Sequence, residues 1–544
     1  MPPPADMNQA FVLPKVKYCF KTTNETDRLV FYDVKFYPYA GTLNLEPVFA
    51  VVAQTKVYFG RVSNETDAIV TMLHEIQDEQ ESRNRDSSGL NSCSWCYVDP
   101  QQPLLAVAGG SGQLKVIDAV RGERFTTLIG HGHGTINDIA THPIYPWIVA
   151  TASMDKSLRI WDLRRHNFRH ESPTIVICGQ ASGHSEGILT VSWHATGRYL
   201  ISGGLDNRIC VWTVPDLDDE SPFWREIAPE NRKRSSQEVK IIHFPHFTTS
   251  AIHHDFVDCV KFFGDLVLSK AANENKLVLW KMTGFDTRSP PPDSATAPKT
   301  EGYLDTRNGF MRTATGDKNS VETVKIAPEF LDQPPYQRLL EFDSPNSKTF
   351  YMRFGLLLPS PDFPDLHPAL VFGNETTEVR FWDLQRLSLG FAGGLDENKP
   401  TAPRRKKGAA ARFNRANVAP AGEMDSPSLV RESTVSSASN ISLGPWPARQ
   451  TSTEATSEIS DDLPANGSNP PFPVPNRKRY PLHDPHQPIK PHERLKLIEL
   501  QYKQQKGFFA RAADWSPCGR WCIVVGESQI SENEGWGGFA VLHR

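Results

Sequence analysis

Asp155-Lys156-Ser157-Leu158-Arg159-Ile160-Trp161-Asp162 and Asp206-Asn207-Arg208-Ile209-Cys210-Val211-Trp212-Thr213 decide how this sequence folds. Each opens on an acid suited to a tight turn, runs through a short β-prone stretch and reaches an apolar-Trp step. Gly130-His131 and Gly183-His184 lie upstream of them. Two further runs, Asn275-Lys276-Leu277-Val278-Leu279-Trp280 and Glu378-Val379-Arg380-Phe381-Trp382-Asp383, keep the Trp step without the Gly-His. Strands of this kind, recurring at about 40 residues, are the signature of propeller blades, small sheets that bury their faces only against one another.

The Gly-His, turn acid and Trp together are the WD40 pattern. The imidazole, the carboxylate and the indole N–H can satisfy one another, so polar groups sit between blades without an unpaired donor. His131, Asp155, Trp161, His184, Asp206, Trp212, Trp280 and Trp382 therefore read as structural rather than as catalytic or metal-binding. Weaker repeats at Phe31 to Val62, Cys93 to Ile117 and Ala510 to Leu542 bring the count to seven. The expected fold is all-β, a seven-bladed WD40 β-propeller with two long, partly disordered insertions. Residues 1–16 read as a tail, 17–285 as blades one to five and 286–346 as an insertion. Residues 347–397 read as blade six, 398–488 as a low-complexity insertion, and 489–544 as the end of blade six and blade seven.

Composition narrows the function. The 544 residues carry 59 Lys plus Arg against 63 Asp plus Glu. That balance gives no global basic field, so direct nucleic-acid binding is expected to be weak or absent. Arg404-Arg405-Lys406-Lys407 and Arg477-Lys478-Arg479 read as solvated charge or as nuclear-import signals. Met1-Pro2-Pro3-Pro4-Ala5-Asp6 lacks a secretory pattern and no apolar run approaches the roughly 20 residues of a membrane span, so a soluble intracellular protein without membrane contact is expected. The eight cysteines mostly sit in strand-like runs. Cys93-Ser94-Trp95-Cys96 has neither a following βα unit nor a second pair at zinc spacing, so no metal and no cofactor are expected. Hydrolase, phosphate-loop and zincin signatures are missing, which argues against an enzyme.

Equivalent positions of successive inner strands form a ring around a propeller's channel. Anchoring each inner strand on Phe36, Trp95, Thr141, Trp193, Phe262, Phe354 and Trp515, and stepping back four residues, gives Tyr32, Asn91, Asn137, Leu189, Asp258, Phe350 and Arg511. These should crowd one mouth of the channel. Aromatic faces with acidic neighbours suit a methylated ammonium, whose methyl groups replace the water that a bare ammonium would keep. Aromatics at such positions could equally serve to plug the channel.

Beyond the repeat, Pro103-Leu104-Leu105-Ala106-Val107-Ala108-Gly109, Ile136-Asn137-Asp138 and Tyr351-Met352-Arg353-Phe354 are distinctive. So is the run from Ile242-His243-Phe244-Pro245 through Phe256-Val257-Asp258-Cys259-Val260 to Gly264-Asp265-Leu266-Val267-Leu268-Ser269-Lys270. On these stretches the chain resembles the extra sex combs family of Polycomb WD40 proteins. The resemblance implies a nuclear, non-catalytic subunit of Polycomb repressive complex 2, a histone lysine methyltransferase. Such a subunit would contact the SET-domain subunit on one face, other subunits of the complex, and a trimethylated histone tail on the other face, stimulating methylation and gene silencing. By matching positions, Tyr32, Phe350 and Tyr351 would form the trimethyl-lysine cage. Asn91, Asn137, Phe256, Asp258, Arg353 and Arg511 would line the peptide path or channel mouth. Asn91 departs from the family pattern, which has a further aromatic there; Phe256 is a candidate replacement. On this reading Tyr351→Ala should abolish stimulation while sparing the fold. The alternative is a generic WD40 adaptor in ubiquitin ligation or RNA processing, without methyl-lysine reading.

Overall fold

The computed structural model describes residues 14–22, 29–39, 46–64, 68–83, 89–164, 173–178, 183–227, 239–299, 305–312, 326–360, 362–388, 488–497, 508–529 and 535–544. They form seven predominantly antiparallel sheets, five of four strands and two of five. The inner strands are Phe31–Phe36, Leu90–Tyr97, Ile136–Thr141, Ile188–Trp193, Val257–Phe263, Gly355–Leu357 and Phe509–Trp515. The expected seven-bladed propeller is what the chain forms.

The second strand of a blade is enclosed on both faces, which explains its composition. Val48–Ala53, Pro103–Gly109, Ile148–Ser153 and Leu266–Ala271 are buried at every position. They are runs of Val, Ala, Leu and small residues, the pattern of a strand with no solvent side. Outer strands such as Glu123–Ile129 face solvent over much of their length. An apolar cluster fills each seam between neighbouring blades. Leu105 packs with Val57 across the first seam, Trp161 with Leu104 across the second, and Phe539 with Phe31 across the last.

The ring closes through strands more than five hundred residues apart in sequence. Lys15–Lys21 is the outer strand of the seventh sheet, antiparallel to Gly535–His543 with Lys15 opposite His543 and Lys21 opposite Gly538. Phe20 stacks on Phe539 at 5.0 Å and 15° and also meets Phe31 and Tyr58, so the strand stitches blade seven to blade one.

Two expected boundaries do not follow the blades. Residues 286–346 are not simply an insertion: Thr306–Asn308 joins the fourth sheet beside Phe247–Thr249, and Tyr336–Asp343 is the outer strand of the fifth, paired with Lys276–Met282. Thr306–Asn308 is only three residues long with one buried position, and Tyr336–Asp343 mixes Gln, Arg and Glu into its apolar run, so the hydrophobic signal of each is slight. The tail reading of 1–16 likewise takes in the first two residues of the closing strand, Lys15 and Val16. Glu493–Lys496 completes blade six against Glu378–Asp383, as the segment 489–544 allowed. Most of 398–488, with both basic clusters, lies outside the described residues.

The polar seals are as expected in blades three and four. His131 contacts Asp155 at 2.8 Å and Thr151 Oγ1 at 2.7 Å, and Trp161 Nε1 donates to the same hydroxyl at 3.0 Å. His184, Asp206, Ser202 and Trp212 repeat the arrangement. A third, unforeseen seal occupies blade five: His253 bridges Glu274 and Ser269 at 2.8 Å each, and Trp280 donates to Ser269 at 3.0 Å. Trp382 instead donates to the Ile489 carbonyl at 3.2 Å.

Buried imidazoles make stability depend on acidity. His142 Nδ1 accepts the Ile144 and Tyr145 N–H groups, so protonating it would break two backbone bonds. Burial lowers both His142 and His246 to about 4, and lowers His131 and His253 as well. Between pH 6.5 and 4 the unfolded chain therefore binds more protons than the folded one, and stability falls as pH falls. His184 runs the other way: against its burial, Cys210 and Asp206 raise it to about 10, so its contribution is complete below pH 6.5 and does not cancel the loss. Melting at pH 5 should occur about 5 °C below melting at pH 7.5. An unchanged or higher midpoint at pH 5 would contradict the neutral assignment.

Candidate functional site at the channel mouth

In six inner strands the pairing slips by one residue at the same level. The slips fall between Phe31 and Asp33, Leu90 and Ser92, Ile136 and Asp138, Ile188 and Thr190, Val257 and Cys259, and Ala510 and Ala512. The unpaired residues are Tyr32, Asn91, Asn137, Leu189, Asp258 and Arg511, six of the seven ring positions. A bulge frees its residue from the ladder and re-aims the side chain, which is why such positions recur at sites.

Blade six corrects the seventh position. Leu370 faces Trp382 on one side and Leu356 on the other, the place that Thr141 holds in blade three, where Val149 faces Trp161. The anchor is therefore Leu356, not Phe354, and stepping back four residues lands on the buried Met352. Phe350 and Tyr351 belong to the loop ahead of the strand. Phe354 misled because it is the large aromatic of the segment, two residues early.

Corrected registry also explains the layer beneath the mouth. Asp33, Ser92, Asp138, Thr190 and Arg353 share one level and are bonded across the channel. Arg353 Nη1 lies 2.7 Å from Asp138 Oδ1, 3.3 Å from Ser92 Oγ and 3.6 Å from Asp33 Oδ2. Thr190 Oγ1 donates to Asp138 Oδ2 at 2.9 Å. Burial opposes the charge on Arg353, but Asp138, Tyr351 and Asp33 more than offset it and raise its pKa. Burial likewise opposes ionisation of Asp33, yet Lys35 and Arg353 hold its carboxyl below the ordinary value.

Tyr351 stands on this layer. Its backbone is left-handed, φ 65°, a conformation that costs a residue with a side chain roughly 1–3 kcal/mol and persists only when its surroundings impose it. Here they do: its N–H donates to Asp258 Oδ2 at 2.8 Å, and the same oxygen meets buried Lys270 Nζ at 2.8 Å, which also donates to the Thr349 carbonyl. Its phenol proton is shared between the Asn137 carbonyl at 2.6 Å and the Asn91 carbonyl at 2.9 Å, while Arg353 Nη2 donates to the phenol oxygen at 2.9 Å. Burial, with Asp138 and Asp33 nearby, pushes the phenol pKa well up, so it stays a donor.

Above that pinned ring lie two more. Tyr32, half-buried, meets Tyr351 edge-on with centroids 5.6 Å apart and planes at 89°. Phe350, 40% exposed, meets it at 5.7 Å and 61°. Arg511 donates to the Phe350 carbonyl at 2.9 Å, pairs with Glu527 at 2.6 Å, and lies 5.8 Å from the Tyr32 ring. The three sequence-selected aromatics thus share one mouth although they come from blades one and six. Asn137, Asp258 and Arg353 serve as supports under it, not as an open lining. Asn137 Nδ2 bridges to the Ile188 carbonyl of the next blade and Asp258 is fully buried. Phe256 is exposed ahead of the fifth inner strand, and among the described residues no ring contact joins it to the cluster. Sequence reasoning missed Asp33, Asp138 and Lys270 as supports, although stepping back three residues from the corrected anchors lines up the first two with Arg353. No His/Cys/Asp/Glu group among the described residues could hold a metal.

Fold and mouth together define a WD40 β-propeller with an aromatic end to its channel. The family model described as "WD domain, G-beta repeat" matches residues 122–162 and 176–213. The chain is 36% identical to Polycomb protein EED of Chaetomium thermophilum over 368 residues, 66% of this chain and 58% of that protein. It is 33% identical to Polycomb protein esc of Drosophila melanogaster over 193 residues, 35% of this chain and 43% of that one. Among solved structures, a chain of the crystal structure of Chaetomium thermophilum polycomb repressive complex 2 aligns with TM-score 0.66, 25% identity and 98% coverage of both chains. A chain of the structure of ctPRC2 in complex with H3K27me3 and H3K27M aligns at TM-score 0.65 and 26% identity, covering 97% of this chain and 98% of the other. The chain is a divergent homologue of the Polycomb EED and esc proteins. In the alignments it spans 58% of the length of the EED relative and 43% of the esc relative.

Proposed function

We propose that the chain is the non-catalytic WD40 scaffold of a Polycomb repressive complex 2-like histone methyltransferase in the nucleus, and that its channel mouth reads a methylated lysine of a histone tail. One observation carries the reading: Tyr32, Phe350 and Tyr351 converge on a single mouth, with exposed ring above and pinned ring below. A methylated ammonium set against those faces gains cation–π attraction without losing hydration that it does not have. The likeness to a chain from a complex holding H3K27me3 supports the same use. The SET-domain subunit is assigned to the opposite face. There the partly exposed Tyr39 and Tyr97 meet at 4.9 Å at the far ends of the first two inner strands, over the buried pair Tyr37 and Trp95, 5.1 Å apart. Filling one face stimulates methylation at the other only if the two binding events share a coupling free energy.

The test is calorimetric titration with a histone H3 peptide centred on lysine 27, methylated or unmodified. The methylated peptide should bind at least about tenfold tighter, and Phe350→Ala or Tyr32→Ala should each remove about tenfold of that gain while leaving the unmodified peptide alone. Equal binding of both peptides would refute the reading.

A further inference from the structure

The mouth has a side chain whose chemistry the cage does not use. Asn91 occupies the bulge of the second inner strand, next around the ring from Tyr32, and its own carbonyl receives the Tyr351 phenol. It is only 6% exposed. Its amide oxygen is buried and finds no hydrogen-bond donor among the described residues. Asn137, the equivalent residue of the next blade, turns its amide toward the blade after that and donates Nδ2 to the Ile188 carbonyl. Of the other ring positions Asp258 also keeps a buried oxygen, Oδ1, without a donor among the described residues, but its Oδ2 is taken up by Lys270 and the Tyr351 N–H. A buried acceptor left unmatched in a folded protein is uncommon and is a cost that a donor-bearing ligand would relieve. An aromatic at this position would add a face for methyl groups; an amide adds an acceptor, and its two ends exchange by half a turn about one bond.

We propose that Asn91 sets the methylation state that this mouth prefers, selecting a dimethylated over a trimethylated lysine. The inference rests on the methyl-lysine reading given above and specifies its ligand. A trimethylammonium has no N–H and can offer the amide oxygen nothing. A dimethylammonium keeps one N–H, which donates to Asn91 Oδ1 while its two methyl groups remain against Tyr32, Tyr351 and Phe350. An unmodified ammonium has donors to spare but keeps water that the three rings cannot replace, so it remains the poorest ligand.

The experiment titrates the full chain with the histone H3 lysine 27 peptide in its unmodified, mono-, di- and trimethylated forms, repeated with Asn91→Tyr and Asn91→Leu. In the native chain the dimethylated peptide should bind about three- to tenfold tighter than the trimethylated one, the scale of a single charge-assisted hydrogen bond. Asn91→Leu should erase that difference, and Asn91→Tyr should reverse it. A native chain that binds the trimethylated peptide as tightly as the dimethylated one, or more tightly, overturns the role of Asn91 while leaving methyl-lysine reading in place. A native chain that does not tell any methylated peptide from the unmodified one overturns both. The native ranking decides the matter even if a variant fails to fold.

Discussion

Tyr351→Ala is expected to destabilise the protein by about 3–5 kcal/mol and to abolish discrimination of methylated peptides, two effects with one origin. The ring is 5% exposed, and its loss leaves a cavity in the channel mouth beside Tyr32 and Phe350. It also takes a donor from the Asn91 and Asn137 carbonyls and an acceptor from Arg353. Sequence alone suggested that this substitution would spare the fold; burial and bonding reverse that expectation. Tyr351→Phe separates the two roles. It keeps the aromatic face and should bind methylated peptide within about threefold of the native chain, while losing about 1–2 kcal/mol of stability with the phenol's bonds. Denaturant midpoints and peptide titrations on both variants check this. An alanine variant as stable as the native protein would show that the phenol does not hold the mouth together.

Removing residues 1–22 is the second large perturbation. Lys15–Lys21 covers the free edge of Gly535–His543 and sets Phe20 against Phe539, Tyr58 and Phe31. Val16, Tyr18 and Cys19 pack on the seams to either side. Losing the packing of these four side chains, Val16, Tyr18, Cys19 and Phe20, each worth about 1–2 kcal/mol, should lower the melting midpoint by about 5–10 °C. An edge strand containing Phe539 and Val541 would be left open, so light scattering should rise on mild heating. A peptide of residues 14–22 added in trans should recover part of the midpoint. A truncated chain that melts with the native one would mean that the ring holds without this strand.

Much of the mouth could be reached by counting. Tyr32, Asn91, Asn137, Asp258 and Arg511 emerge from one offset because six of the seven inner strands bulge at the same level, although a bulge breaks the alternation that suggested an even step. Blade six failed the count because Phe354 outweighs Leu356 as a visible anchor, and strand pairing alone reveals the shift. The cross-channel bonds of Arg353 to Asp138 and Asp33 join residues more than two hundred positions apart, beyond any local pattern. His253 was legible in retrospect. It precedes its inner strand as His184 does, but its acid is Glu274, and its Ser–Trp separation is 11 residues where blades three and four have 10. Thr306–Asn308 was masked by its three-residue length, and Tyr336–Asp343 by the prolines before it and the polar Gln337, Arg338 and Glu341 within it.

The partnership of Lys15–Lys21 with Gly535–His543 also orders events on the ribosome. Lys15–Lys21 must wait, unmated, until residues more than five hundred positions later have been made, and six blades can stack before the disc becomes a circle. Any product that stops short of residues 535–543 stays an open arc with two raw ends, a ready substrate for chaperones and proteases. A check that synthesis has passed residue 543 is thereby written into the geometry of the finished molecule.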